Sequence, residues 1–500
     1  MATQVNPEDL RRFVLGLPQI VPESWCFECR ICCRFPDTEK VQTPFWAPLE
    51  AAWAKESSPE AAGWFKPEEG SPSLSPRLVS CGGAGYRCPA FEPETNRCSI
   101  HAVKPLDCRL YPFVLAHNPG GTEVLLAMDT KCPFIESRQE DPKLSAYADR
   151  LAAYLDTETG MEYLRKNPKV VGPSWPEYLW VAALPRATSW IQPGPSAVPP
   201  HPALRPVQPE DLPLLRRALE ARVHTASHYT AASLLGWSDL IRLWWAPQEE
   251  GMSLFAEQAG GWFMPVPPLG AGLREDQVQS SWEILKEINQ GGGVSRIEGI
   301  EPSDVPLFER MGFSVSEGEA EYLYSAPVLA RLQGEGYRSQ RWAINRCAKA
   351  VPFRVRPFEE KDVVPSLQLY TRWAIHRQRK ASGDMERKLL RDSLFFHRRI
   401  MVDRDRFGLV GRVLESEGTV RAYTFGGAVS SDTFCVFAEI AERSPAGLAP
   451  TLFREICLKA EKMGCRQINA MGDAGLPSLH RAKRAYRPAS ELPVFTAVVK

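Results

Sequence analysis

Eight residues, Cys26 to Cys33, read CFECRICC and carry four thiols, two of them adjacent. An ordinary apolar core does not need that density. The stretch belongs to a disulfide knot, to a metal site, or to a run of small buried residues. The text before it, MATQVNPEDLRRFVLGLPQIVPESW, sets Glu8 and Asp9 where a secretory leader is basic, and FVLGL is shorter than a leader's apolar stretch. No run approaches the roughly 18 apolar residues of a membrane helix. The expectation is a soluble cytoplasmic protein. Stable disulfides are rare there, which leaves metal as the leading reading.

The thirteen cysteines are unevenly placed. Cys26, Cys29, Cys32, Cys33, Cys81, Cys88, Cys98, Cys108 and Cys132 crowd the first 132 residues. Cys347, Cys435, Cys457 and Cys465 lie in apolar or helical text such as TFCVF and FREICLKA, where they read as small buried hydrophobes. A Cys-x-x-Cys pair turns two thiolates toward one ion. Here that spacing repeats and ends in Cys32-Cys33, and neighbours in sequence point about 100° apart on a helix. The adjacency suits two metals or a multi-iron cluster. Cys26, Cys29, Cys32, Cys33, Cys88, Cys98, Cys108 and Cys132 make an eight-thiolate set, enough for two Cys₄ zinc sites or for one or two iron–sulfur clusters. Ligand softness does not separate these metals. Cys81 reads as a spare loop thiol. His101 reads as a surface or capping histidine before a ligand, and Arg109 either offsets thiolate charge or is an ordinary surface cation.

At 500 residues the chain exceeds one ordinary core. Lys+Arg and Asp+Glu are 60 each, which excludes bulk attraction to nucleic acid or membrane and leaves only local patches. Proline, at 44, is in excess and concentrates in QPGPSAVPPHPALRP. The expected organisation is a cysteine-cluster domain with trailing helices over residues 1–190 and a proline-rich linker at 191–206, then α/β units at 207–330 and 331–500. Leu144, Tyr147, Leu151 and Leu155 share one helix face. After the linker, helix and strand patterns alternate: DQVQSSWEILKEINQGGG predicts a helix stopped by glycines and VSRIEGI a strand. GTVRAYTFGGAVSSDTFCVFAEI predicts a hairpin, APTLFREICLKAEKMG a helix, and CRQINAM a strand. The fold class is α+β multidomain. Arg338, Arg341 and Asn345 share a basic helical face near Tyr337 and Trp342, suited to a phosphate-rich ligand such as tRNA or a CoA tail. A second basic run, SLHRAKRAYRP, lies far away in sequence.

CFECRICCR, RCPAFEPETNRCSIHAVKPLDCRLYPF and KCPF resemble the cysteine-cluster family with the signature CxxCxxCC, to which zinc or iron chelation is ascribed. His101 stands where that family has an aromatic, and Lys104 where it has arginine. The later text YLYSAPVLARLQGEGYRSQRWAIN and INAMGDAGLPSLHRAKRAYRP resembles the C-terminal domain of phosphatidylglycerol lysyltransferases. Tyr322, Tyr324, Leu332, Gly334, Tyr337, Arg341, Asn345, Asn469, Asp473, Lys483, Tyr486 and Pro488 fall at its motif positions. The resemblance implies tandem N-acetyltransferase-like (GNAT-like) units that transfer an acyl or aminoacyl group from acyl-CoA or aminoacyl-tRNA. Three departures stand out: the membrane region of those enzymes is missing, NAMGD replaces a charged run, and ERSPAGLAP has one residue too many for an acyl-CoA loop.

Transfer of this kind needs a nucleophile, a proton acceptor and donors for the oxyanion. Glu439 and Glu442, read as loop residues after TFCVFAEI, are candidate bases, and Asp473 is a third. Arg338, Arg341, Asn345 and Lys483 are candidates for donor phosphates. The leading expectation is a metal-binding protein with an acyl- or aminoacyltransferase module. The alternative is a non-catalytic metal-binding or redox-sensing protein whose C-terminal half binds tRNA or a protein partner.

Overall fold

The computed structural model describes residues 6–29, 32–35, 43–68, 70–81, 85–117, 123–129, 132–138, 142–172, 178–190, 199–238, 240–258, 261–290, 295–378 and 384–499. The triple glycine at 291–293 and the first half of the expected linker (191–198) lie outside them. The chain divides into two compact units: Met1–Gly194 with Ala381–Arg391, and Pro195–Lys380 with Asp392–Lys500.

In the first unit, helices α1 (Pro7–Leu15), α2 (Glu23–Cys29), α3 (Pro48–Ser57) and α4 (Leu106–Leu110) precede strands β1 (Phe113–His117) and β2 (Val124–Asp129). Helices α5 (Pro142–Leu155) and α6 (Glu158–Lys166) and strands β3 (Val171–Gly172) and β4 (Tyr178–Ala183) follow. The sheet runs β3-β1-β2-β4. Every residue of β2 is buried, as a central strand covered on both faces requires. The expected stripe of α5 is real: Leu144, Tyr147, Leu151 and Leu155 are all buried. The segment that carries most of the thiols is irregular, built from two-residue strands and short turns.

The second unit begins with β5 (Arg205–Pro206), α7 (Leu212–Glu220), β6 (Arg242–Gln248), β7 (Gly251–Gln258) and β8 (Gly261–Phe263). Next come α8 (Glu275–Asn289), β9 (Ile297–Ile300), β10 (Phe313–Glu317), β11 (Glu321–Ser325) and α9 (Arg338–Ala350). The rest is β12 (Arg354–Pro357), β13 (Val410–Ser416), β14 (Thr419–Ala428), β15 (Thr433–Ala441), α10 (Leu448–Lys462), β16 (Gln467–Asn469), α11 (Pro477–Arg484), β17 (Ser490–Leu492) and β18 (Phe495–Val499), together with helices that need no label here. In α8, Val278, Trp282 and Leu285 recur every three to four residues and are buried. Burying each such side chain is worth about 1.5–3 kcal/mol. The hairpin β14–β15 and the parallel pair β15–β16, joined through α10, form as the sequence predicts. β14 and β15 are buried along almost their whole length.

Two sheets exchange strands. The larger runs β12-β13-β14-β15-β16-β11-β17, so β11, which precedes residue 330, completes a sheet made otherwise of later residues. In return β18 lies between β9 and β10, pairing Ala497 with both Ile297 and Val315. Each α/β half therefore holds a strand of the other. Among the described residues no helix is long and apolar enough to cross a membrane.

Candidate metal centre and transfer site

The backbone gathers the thiols from four parts of the first unit. Arg34–Phe35 pairs antiparallel with Tyr86–Arg87, and the Cys88 N–H donates to the Cys33 carbonyl at 3.0 Å. The small hairpin that pairs Phe91 with Cys98 brings Cys98 toward Cys88. Cys108 sits on α4, and the Cys132 N–H donates to the Asp129 carbonyl at 3.3 Å.

Mutual charge shows which thiols are neighbours. Cys32 is held well above its ordinary value first by its hydrogen bond with Cys29, and also by Cys33 and Cys132. Burial raises Cys108, to which Asp107, Cys33, Cys88 and Cys98 add. Burial pushes Cys88 up to about 12, with Cys98 contributing. One neighbourhood thus holds Cys29, Cys32, Cys33 and Cys132, the other Cys33, Cys88, Cys98 and Cys108, and Cys33 belongs to both. Cys26 lies on α2, but its side chain is outside the described residues. Cys81 is exposed and Cys347, Cys435, Cys457 and Cys465 are buried. Among the described residues no group of three or more His, Cys, Asp or Glu side chains stands close enough to close a metal site as it is. The donor chemistry nonetheless fits a thiophilic ion. Ionised together these thiols repel one another, and a cation among them removes that repulsion.

A buried carboxyl braces this region. Glu50 accepts from the N–H groups of Ala47 (2.7 Å) and Leu106 (2.8 Å) and from the Tyr163 hydroxyl (3.0 Å), tying α3, α4 and α6 together. Burial raises its pKa to about 7. The Arg109 guanidinium donates to the carbonyls of Lys104 (3.0 Å) and Ala102 (2.6 Å) and fixes the turn before Cys108.

In the second unit the three candidate bases separate clearly. Glu439 is not in a loop, because β15 continues to Ala441 and pairs Glu439 with Thr424. Its Oε2 is buried with no hydrogen-bond partner among the described residues. Burial raises its pKa to about 8. Cys457 on α10 and Tyr486 both feel its charge. Glu442, by contrast, is paired with Arg421 (2.7 Å) and Arg372 (3.4 Å). Asp473 accepts from the Tyr322 hydroxyl (2.7 Å) and the Gly475 N–H (3.0 Å) and lies 2.8 Å from His480 Nδ1. These bonds, that from Tyr322 first, hold Asp473 below the usual carboxylate range.

Of the four residues expected to meet donor phosphates, Arg341 and Lys483 are engaged by backbone carbonyls. Arg341 donates to the carbonyls of Leu332 and Gly334, both at 2.6 Å. Lys483 donates to the carbonyls of Ala470 (2.6 Å), Met471 (3.1 Å) and Gly472, and burial lowers its pKa to about 8. Both cations hold loops. Arg338 and Asn345 are exposed on α9. At the start of α10, Gly447 has φ 109° and packs on α9 so closely that a side chain there would collide with the Ala343 carbonyl. Pro450, in the first turn, has no N–H to offer an anion.

One buried group escaped the sequence reading. Glu321 accepts from the Ser227 N–H (2.8 Å), the Ser227 hydroxyl and Asn469 Nδ2 (2.5 Å), and lies 3.4 Å from His228 Nδ1. Its partners are 94 and 148 residues away, so no local pattern marked it.

A cysteine-rich segment and two strand-exchanged α/β halves define a two-module protein of the α+β class. The comparisons give the modules their families. The model for the phosphatidylglycerol lysyltransferase C-terminal domain matches residues 220–498, more than half of the chain, and the chain belongs to that family. The CxxCxxCC model, a domain with an ascribed zinc- or iron-chelating role, matches residues 25–133. A conserved protein of unknown function from Bacteroides thetaiotaomicron is similar over 59% of this chain and 99% of its own, at 20% identity and TM-score 0.52. L-PGS from Bacillus licheniformis matches at 19% identity over 59% and 92%, with TM-score 0.41. A tandem GNAT protein from the clavulanic acid pathway matches at 13% over 59% and 97%, with TM-score 0.35. No curated protein matches.

Proposed function

We propose that this is a cytoplasmic aminoacyl- or acyltransferase whose N-terminal domain binds zinc or an iron–sulfur cluster through Cys26, Cys29, Cys32, Cys33, Cys88, Cys98, Cys108 and Cys132. The observation that carries the transfer reading is Glu439. A base working near neutral pH needs a pKa near the working pH, and Glu439 is raised to about 8 with one oxygen unpaired among the described residues. Glu442 and Asp473 are engaged by cations or hydroxyls, so they orient rather than abstract. An amine or hydroxyl acceptor attacks the donor's activated carbonyl carbon; its proton passes to the Glu439 carboxylate, and the donor's leaving oxygen or sulfur departs with the bonding pair. The crowded start of α10, with Pro450 in its first turn, favours an aminoacyl ester over acyl-CoA as donor. The family's description names lysyl transfer to phosphatidylglycerol, which makes a lipid hydroxyl one acceptor to try. In the first unit, bound zinc would brace the fold, whereas an iron–sulfur cluster would add electron transfer.

The test has two arms. Anaerobically purified protein is assayed for metal and sulfide and by visible absorbance; a thiolate-bound metal is expected, and metal-free protein overturns that half. Labelled lysyl- and alanyl-tRNA and acetyl-CoA are then offered with amine and lipid acceptors. Transfer is expected from an aminoacyl-tRNA and should fall by about 10²–10⁴-fold in Glu439→Gln. No transfer from any donor, or an unimpaired variant, overturns the transferase reading.

A further inference from the structure

Tyr322, Asn469, Asp473 and Lys483 meet around one loop, residues 470–475, and a residue that no motif marked, His480 on α11, joins them. The Tyr322 hydroxyl lies 2.7 Å from Asp473 Oδ2 and 2.8 Å from His480 Nδ1, and Nδ1 lies 2.8 Å from the same carboxylate oxygen. With Tyr322 donating to Asp473, the carboxylate also accepts from the Nδ1–H. The other ring nitrogen, Nε2, meets no hydrogen-bond partner among the described residues, and the side chain is 47% exposed.

The loop is held in place against strain. Met471 and Ala474 have φ 61° and 53°, a backbone region that costs a residue with a side chain about 1–3 kcal/mol and recurs at functional sites. Lys483 donates to the carbonyls of Ala470, Met471 and Gly472, the Met471 N–H donates to Asn469 Oδ1 (2.7 Å), and the Ala474 N–H donates to Glu319. Asp473, between the two strained residues, is thereby fixed, and it fixes the imidazole in turn. The other histidines that face a hydrogen-bonding partner differ: His224, 2.9 Å from Glu301, and His397, bonded to Tyr423, are buried, and His228 stands 3.4 Å from Glu321. Tyr486, two residues past the end of α11, feels the charge of Glu439, so this helix leads from His480 toward the candidate base.

We propose that His480 is a second proton-transfer group of the reaction, giving its Nε2 proton to the leaving oxygen of an ester donor. This rests on the transfer reading above, in which Glu439 takes the proton of the acceptor. The ester carbon–oxygen bond breaks with its electron pair on the donor oxygen, the Nε2–H bond of the charged ring breaks, and a new O–H bond forms. The ring is left neutral with its hydrogen on Nδ1, where Asp473 holds it, and regains a proton from water. Asp473 and Tyr322 are positioning residues that set the tautomer and the aim of the ring. A structural clamp uses Nδ1 alone, and that difference can be tested.

His480→Asn supplies an amide N–H in place of Nδ1–H and removes Nε2. In the full-length protein, with the ester donor that the wild type uses, it lowers kcat by about 10²–10⁴-fold and leaves KM and Tm unchanged. Asp473→Asn also lowers kcat, and the double variant falls no further than His480→Asn, because the two act as a unit. Long-range proton–nitrogen NMR of histidine-labelled wild type, a readout that needs no activity, finds the hydrogen of the neutral His480 ring on Nδ1. A neutral ring protonated on Nε2 overturns the proposal. So does a rate loss in His480→Asn that is matched by a lower Tm or confined to KM, which would make the triangle a clamp. An active wild type with an unimpaired His480→Asn removes this proposal alone; a wild type inactive with every donor removes the transfer reading and this proposal with it.

Discussion

Replacing Glu439 by glutamine keeps its shape and removes its charge. The carboxyl rises from 4.5 to about 8 on folding because β15 buries it. The native state therefore holds the Glu439 proton more tightly than the unfolded chain does. The stability this gives is fully present below pH 4.5 and is lost as pH climbs toward 8. Between those limits the loss is about 1.4 kcal/mol per pH unit, or about 4 kcal/mol from pH 5 to pH 8. The variant has no such slope. Native-state hydrogen exchange of the β15 amides, read at pH 5, 6.5 and 8 after correction for intrinsic exchange, isolates this strand from the other module. The free energy of opening should fall with pH in the wild type and stay level in Glu439→Gln, so that the two lines lie close at acid pH and diverge toward alkaline pH. Parallel lines would show that the carboxyl is ionised across the range, and would remove the reason for choosing Glu439 as the base. An isotope-edited infrared titration gives an independent check, with a midpoint expected near 8; a midpoint below 6 refutes the same reasoning.

Glu321→Ala strands the Ser227 and Asn469 donors and should cost about 3–5 kcal/mol, read as a lowered Tm for the second unit, whereas Glu321→Gln should recover part of it. Glu50→Ala leaves the Ala47 and Leu106 N–H groups and the Tyr163 hydroxyl unanswered at about 1–3 kcal/mol each; thermal melts and metal content should fall together. Cys33→Ser should lower bound metal more than any other single thiol change, because Cys33 neighbours both groups, while Cys81→Ser should leave metal content intact; mass-spectrometric metal analysis decides, and equal loss in both would refute the assignment.

What the sequence disclosed follows the range of the interactions. The stripe of α5, the helix α8, the hairpin β14–β15 and the α10 crossover are written in spacings shorter than a dozen residues, and all of them form. The CxxCxxCC module was legible because Cys-x-x-Cys is a local pattern, although the neighbours of Cys33 depend on strand pairing with Tyr86–Arg87. Glu439 was misplaced into a loop because its charge interrupts an apolar strand; burial on β15 overrides the polarity of one residue. That Arg341 and Lys483 donate to backbone carbonyls was not legible, because a cation's pattern does not reveal whether carbonyls await it. Glu321 and the meeting of Tyr322 with His480 were invisible for a plainer reason: their partners lie about 90 to 160 residues away.

The reciprocal placement of β11 and β18 also bears on how such a chain is inherited and made. A crossover event near residue 330 would hand each descendant a sheet with a missing strand, so the two halves must travel together through recombination. During synthesis the earlier half can form most of its helices, but its β9–β10 gap stays open until residues 495–499 have emerged, some 180 residues later. Among the described residues, no strand of the second unit is donated from before residue 199. The pair of α/β halves is thus the indivisible part of this architecture.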